Sequence, residues 1–287
     1  MNTVLFSIFI RILPKKLVSY VVGHLTQIRR PKFLVLAVMK WFVAHYKIDM
    51  SEAEKPFEEY FCLNDLFTRK LKPGVRPVEG DFVHPADSEL TQAGEITKTG
   101  GGSFLIQAKG FQYTLEGLLN SRDVDDFDGG HYATYYLCPT DYHRVHSPVT
   151  GKIVGYSYNP GFLWPVNEWS VGNIKNLFAI NERITVWIER KSSDGTLQKV
   201  ALTMVGATNV GKMSLSFESG LFSNSIFKRF SARKKYSEGI PIKAGEEIGI
   251  FHLGSTVIMA YSRNFPMDNP KLGKVKVGEK IGSSVLS

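Results

Sequence analysis

The rhythm of apolar positions changes near residue 56. Before it, apolar runs at Val4 to Ile10, Leu17 to Val22 and Phe33 to Met39, the last continued by Trp41-Phe42-Val43, are separated by basic residues. None approaches the roughly 18–20 uncharged residues of a membrane-crossing helix. Short, aromatic-containing, Lys/Arg-rich runs predict amphipathic helices lying in a membrane interface; the alternative is an ordinary helical cap packed on the core. A secretory signal is not expected, because the positive charge follows the first apolar run and no small-residue cleavage site is evident. After residue 56 the texture becomes β-rich. Phe57 to Leu71 predicts a short helix stopped by Lys72-Pro73-Gly74. Beyond it, Gly and Pro recur at short intervals between strands predicted at 132–137, 184–188 and 200–205. Tyr113 to Leu119 predicts a short helix and Asp123 to Asp128 an acidic loop. Near the C-terminus, the apolar runs of Gly249 to Ala260 flank Leu253-Gly254-Ser255-Thr256 and predict strand, turn, strand. The pattern gives an α+β fold: a predominantly antiparallel β core, residues 57–287, behind an N-terminal amphipathic helical arm, residues 1–56.

Composition refines this division. The chain has 287 residues, 43% of them hydrophobic, enough to bury the core of one large domain. Cys62 and Cys138 are its two cysteines, without a metal-ligand spacing, and read as free thiols in a reducing compartment. The net charge is +8, and residues 1–50 hold eight basic side chains against Asp49 alone. Charge confined to a terminal arm argues for an anionic surface there and against a nucleic-acid-binding domain. A second basic patch, Lys228-Arg229, Arg233-Lys234-Lys235 and Lys243, is interleaved with Phe227, Phe230 and Tyr236. It reads as a solvated loop or as a surface for an acidic headgroup near a reaction site.

Gly254-Ser255 carries candidate chemistry. Glycine has no Cβ and leaves its carbonyl open to attack, so the Ser255 hydroxyl can add to it and convert the amide to an ester. β-Elimination would then release a new terminus at 255, and hydrolysis would leave a pyruvoyl group. Serine is a weak nucleophile without a base. His143 and His146, in Asp141-Tyr142-His143-Arg144-Val145-His146, are candidates, because neutral imidazole accepts and returns protons near pH 7. Asp87, in Pro85-Ala86-Asp87, can orient one imidazole as in an Asp-His-Ser triad.

These stretches, with Phe67 to Pro77, Lys109-Gly110, the Ser147-Pro148 that ends the histidine stretch, and Asn181-Glu182-Arg183, resemble in order and spacing the pyruvoyl-dependent phosphatidylserine decarboxylases. The likeness runs from about Phe57 to Tyr261; Ser88 stands where that family usually has Gly. The resemblance implies self-cleavage between Gly254 and Ser255 into fragments 1–254 and 255–287 that stay associated. It leaves room for a homodimer of such pairs. It assigns Asp87 and His146 to activating Ser255, and His143 to substrate and proton handling. The pyruvoyl derived from Ser255 would form a Schiff base with the amine of phosphatidylserine, accept the electrons left by CO₂, and give phosphatidylethanolamine. No metal or added cofactor is implied, and a peripheral place on the cytoplasmic face of the cell membrane is. Two other readings compete. His143, His146 and Asp87 could ligate zinc in a hydrolase. The glycine-containing segments 147–154 and 245–249 resemble lipoyl-like carrier modules, which would stay uncleaved.

Overall fold

The computed structural model describes residues 14–100, 102–108, 111–122, 124–208, 212–223, 230–252, 254, 256–265 and 270–281. The first apolar run, Lys109-Gly110, Phe227, Lys228-Arg229, Leu253 and Ser255 lie outside them. The fold is the expected α+β type with mainly antiparallel sheets.

The strand Thr256–Tyr261 shows why the core is layered. All six of its residues are buried, and they alternate between two apolar clusters. Val257, Met259 and Tyr261 face one, Ile258 and Ala260 the other. A strand buried on both faces must sit inside a sheet with material on each side. It pairs antiparallel with Leu197–Val205 and with His131–Tyr136 near the middle of an eight-stranded sheet. From one edge, that sheet runs Ala232–Ile242, Gly151–Asn159, Arg183–Lys191, Leu197–Val205, Thr256–Tyr261, His131–Tyr136, Ser88–Glu95 and Gly273–Val275. A four-stranded sheet, with Glu247–Phe251 beside Arg144–His146, closes over the first cluster. A three-stranded sheet and the short helices Leu115–Leu119 and Leu177–Ile180 cover the second.

The predicted strand–turn–strand is present, but its two strands do not form a hairpin. Glu247–Phe251 belongs to the four-stranded sheet and Thr256–Tyr261 to the eight-stranded one. Gly254 therefore lies in a short crossing between layers. Two helix boundaries also differ from expectation. Phe57–Glu59 is a 3₁₀ turn, and only Leu63–Phe67 is α-helical. The chain is extended at Tyr60 and Cys62, where burial of the Tyr60 ring overrides a continuous helix. Tyr113 belongs to the strand Phe111–Thr114, and the helix begins only after Thr114, whose hydroxyl caps Gly117 N–H. The acidic loop contains a 3₁₀ turn at Asp125–Phe127.

The described part of the arm forms two helices, α1 (Lys15–Leu25) and α2 (Lys32–Tyr46). Met39 and Phe42 of α2 pack with Leu66 and Phe67 of the short helix α3 (Leu63–Phe67) in a third apolar cluster. Asn64 N–H donates to Thr26 O at 2.9 Å and ties α3 to the end of α1. The α1 surface turned inward carries Lys15, Ser19 and Gly23, four residues apart, while Leu17, Tyr20, Val21 and Leu25 face out.

Candidate active site

The segment Thr140 to His146 runs beside residues 67–69, at the C-terminal end of α3. The Phe67 ring lies 3.9 Å from the His143 ring, centre to centre. Arg144 Nε donates to Thr68 O at 3.0 Å, and Arg69 Nη2 to Thr140 O at 3.2 Å. These contacts bury His143 completely. Its Nδ1 lies 2.8 Å from Asp141 O; a carbonyl only accepts, so this nitrogen carries the proton and Nε2 keeps a lone pair. That Nε2 is buried without a partner. A Cβ placed on Gly254 would stand 3.3 Å from it and 3.3 Å from Leu137 O, so the free lone pair lies against the residue before Ser255. Burial drives the His143 pKa down to about 3, the Asp141 hydrogen bond opposes this, and the nearby Arg69 charge adds to it. The ring is neutral at pH 7.

His146 is held differently. Its Nδ1 donates to Gly245 O at 2.7 Å, and its Nε2 is 3.1 Å from the Tyr142 hydroxyl, which must then donate. Burial lowers its pKa, offset in part by the Gly245 hydrogen bond and by the carboxylates of Glu247 and Asp87.

Asp87 comes near His146, since His146 N–H donates to Pro85 O at 2.8 Å. Its carboxylate is nonetheless directed elsewhere. It accepts from Arg76 Nε and Nη2 at 3.0 and 2.5 Å, and from Val277 N–H at 2.9 Å. Arg76 also holds Glu52 at 2.7 Å, which joins the segment after α2 to the Asp87 turn. Both imidazoles are thus oriented by backbone carbonyls, whereas the sequence suggested Asp87 for one of them. Ser88 closes the Asp87 turn by donating its hydroxyl to Ala86 O at 3.1 Å. This supplies the hydrogen bond that makes serine workable where glycine was usual.

The zinc reading requires Asp87, His143 and His146 to converge. Their polar atoms turn to Arg76, Asp141 O and Gly245 O instead. Among the described residues no group of three His, Cys, Asp or Glu side chains is placed to hold a metal ion. Part of the basic patch, Arg233 to Lys235, lies in an edge strand away from the site. Arg233 to Lys235 sit in Ala232–Ile242, four strand positions from Thr256–Tyr261, or about 19 Å at the usual strand spacing. Lys234 is paired with Glu218 at 2.7 Å.

Gly254 also lines a cleft of about 430 Å³. Phe67, Leu137 and Pro139 line it, as do Val22 and Trp41 of the arm. Asn181 braces its far wall, accepting from Trp164 N–H and donating to Trp164 O and Gly206 O at 2.9 Å each. Arg183 donates to the carbonyls of Leu118, Gly117 and Asn181. Of the Asn181-Glu182-Arg183 motif, Asn181 thus holds the residues next to Pro165 and Ala207, which line the cleft. Sequence reasoning gave no role to Glu52, nor to Arg69 and Arg76 although both lie in the stretch Phe67 to Pro77; the fold alone selects their partners.

Comparison with known proteins gives the family. A family profile described as phosphatidylserine decarboxylase matches residues 63–283. A phosphatidylserine decarboxylase proenzyme of Anaeromyxobacter sp. (strain K) is 37% identical, covering 99% of this chain and 100% of its own. The proenzyme of Myxococcus xanthus (strain DK1622) is 36% identical over 98% and 99% of the two chains. That of Shewanella halifaxensis (strain HAW-EB4) is 38% identical over 88% of each. With the matched span reaching from α3 through both histidines and past Gly254, the chain belongs to the phosphatidylserine decarboxylase family.

Proposed function

We propose that this protein is a self-processing, membrane-peripheral decarboxylase that converts phosphatidylserine to phosphatidylethanolamine and CO₂. The observation that carries the reading is the cleft, lined both by residues of the arm and by Gly254, against which the lone pair of His143 is held free. A lipid whose acyl chains lie along Val22 and Trp41 would bring its headgroup to residue 254.

In maturation, a base takes the Ser255 hydroxyl proton as Oγ bonds to the Gly254 carbonyl carbon, and the Gly254–Ser255 C–N bond breaks to give an ester and a free amine. Loss of the residue-255 Cα proton expels the Gly254 carboxylate. Hydrolysis of the resulting dehydroalanine releases ammonia and leaves the pyruvoyl, whose carbonyl supplies the electron sink for decarboxylation. The site suits such a group: Gly254 leaves room beside it, and the unpartnered His143 Nε2 can hold or return a proton there. Asp87 and His146 serve maturation in this reading, and His143 serves proton transfer during turnover. One observation favours another division. In the uncut chain the nitrogen nearest Gly254 belongs to His143, while His146 Nε2 is occupied by Tyr142. On that geometry His143 is the base of maturation.

Residues 1–56 act as the membrane arm and residues 57–287 as the catalytic domain, at the cytoplasmic face of the cell membrane. Intact mass and a CO₂-release assay on the purified chain test the function. The expected result is two fragments, 1–254 and a pyruvoyl-blocked 255–287, with activity on phosphatidylserine; Ser255→Ala should stay full length and inactive. Active protein with an intact 254–255 bond would overturn the reading.

A further inference from the structure

Arg69 is the group in this site that the chemistry above leaves without a task. It is 5% exposed, and Nη2 donates to Thr140 O, yet Nε and Nη1 are buried with no partner. Burying a guanidinium with donors unmet is costly, and such groups normally face a carboxylate or an anion. Neighbouring carboxylates are committed elsewhere. Glu52 and Asp87 bind Arg76, and Asp141 binds Cys138 N–H and the Thr140 hydroxyl. Arg69 lies two residues past Phe67 and bonds the residue after Pro139, and Phe67 and Pro139 line the same cleft as Gly254. The charge is close enough to His143 to act on its protonation.

We propose that Arg69 is the anion-binding residue of this site and holds the phosphodiester of the lipid headgroup. The inference rests on the decarboxylase reading. Phosphatidylserine offers two anions, a carboxylate and a phosphodiester, and the reaction treats them differently. The carboxylate disperses its charge as CO₂ leaves, so a guanidinium bound to it stabilises the ground state more than the transition state and raises the barrier. The phosphodiester keeps its charge throughout, and holding it positions the amine at residue 255 without opposing the chemistry. Phosphate oxygens can accept from a guanidinium whose Nε and Nη1 donors are otherwise unmet.

The test uses the full chain and short-chain lipids. Arg69→Gln should raise KM for short-chain phosphatidylserine by about 10–100-fold, the loss of one or two charge-assisted hydrogen bonds, with kcat within a few-fold. The inhibition constant of short-chain phosphatidylethanolamine, which has the phosphodiester but no carboxylate, should rise by the same factor. Arg69→Lys should recover part of both. Calorimetric binding of short-chain phosphatidylethanolamine to Ser255→Ala, with and without Arg69→Gln, reads the same contact without turnover. It also applies if Arg69→Gln fails to cut itself. An unchanged phosphatidylethanolamine constant beside a raised KM would move Arg69 to the carboxylate and overturn the proposal. So would a fall in kcat alone, no change in either constant, or no saturable binding to Ser255→Ala. Absence of CO₂ release by the unaltered chain would count against the decarboxylase reading, leaving the calorimetric comparison to judge Arg69.

Discussion

His143 and His146 sit three residues apart with the same tautomer, and they differ in what Nε2 meets: Gly254 for one, the Tyr142 hydroxyl for the other. Substituting them separates maturation from turnover. His146→Ala and Asp87→Ala are expected to leave uncut precursor. His143→Ala should cut itself yet lose about 10²–10⁴-fold of its decarboxylation rate, the usual worth of general acid–base help. Gel mobility and CO₂ release on the same preparations decide it; uncut His143→Ala beside normally matured His146→Ala gives His143 the base role. The same burial makes stability depend on pH. The folded pKa values of His84, His143 and His252 fall to about 4, 3 and 4, chiefly through burial, against about 6.5 in the unfolded chain. Between these limits the unfolded state binds more protons. Stability is therefore full above pH 6.5 and falls on acidification, by up to about 1.4 kcal/mol per pH unit for each ring. Melting temperatures should drop from pH 7 to pH 5, and a flat profile would contradict these burials. Arg76 stands between Asp87 and Glu52 with only 10% of its side chain exposed. Arg76→Met should cost about 3–5 kcal/mol in denaturant unfolding by stranding two carboxylates, and combining it with Asp87→Asn should restore part. Asp87 and the histidines were legible because they sit in short motifs. Arg76 was not, because its partners lie 24 and 11 residues away and only the fold selects them.

Strands were read well where alternation or a continuous apolar run spoke for both faces, as at His131–Tyr136, Arg183–Lys191 and Leu197–Val205. Helix limits at 57–71 and 113–119 failed because burial of single aromatic rings, Tyr60 and Tyr113, outweighed local propensity. Sheet membership could not be read at all, since local patterns do not say which strands pair. That membership has a consequence for the cut chain. Thr256–Tyr261 would open the small fragment, yet all six residues pair with both neighbouring strands. Gly273–Val275 adds a second pairing, to Ser88–Leu90. The fragments should therefore co-elute in native gel filtration after cleavage and separate only in denaturant. Separation under native conditions would contradict the sheet order.

At the scale of the molecule, the cleft opens toward helices whose apolar side chains face outward. Leu25 is 57% exposed, Phe33 76% and Trp41 60%, while α1 turns Lys15, Ser19 and Gly23 inward. A helix that buries its small and polar stripe and exposes its apolar one is arranged for an apolar surrounding. Among the described residues no helix is long and apolar enough to cross a bilayer, so this surface is expected to lie on it. Two contributions should then hold the arm, and they can be separated. Basic side chains give about 1 kcal/mol each near an anionic surface, a term that shrinks as the screening length falls from about 10 Å at 0.1 M salt to about 3 Å at 1 M. Insertion of Phe33 and Trp41 does not depend on salt in this way and is worth about 1.5–3 kcal/mol per fully buried ring. Cosedimentation with anionic vesicles should weaken at high salt but retain a residue of binding. Phe33→Ser and Trp41→Ser should each remove about tenfold of the high-salt affinity with little shift in melting temperature, because both rings are mostly exposed. If the double variant binds vesicles in 1 M salt as well as the unaltered chain, the outward face of the arm is not what meets the membrane.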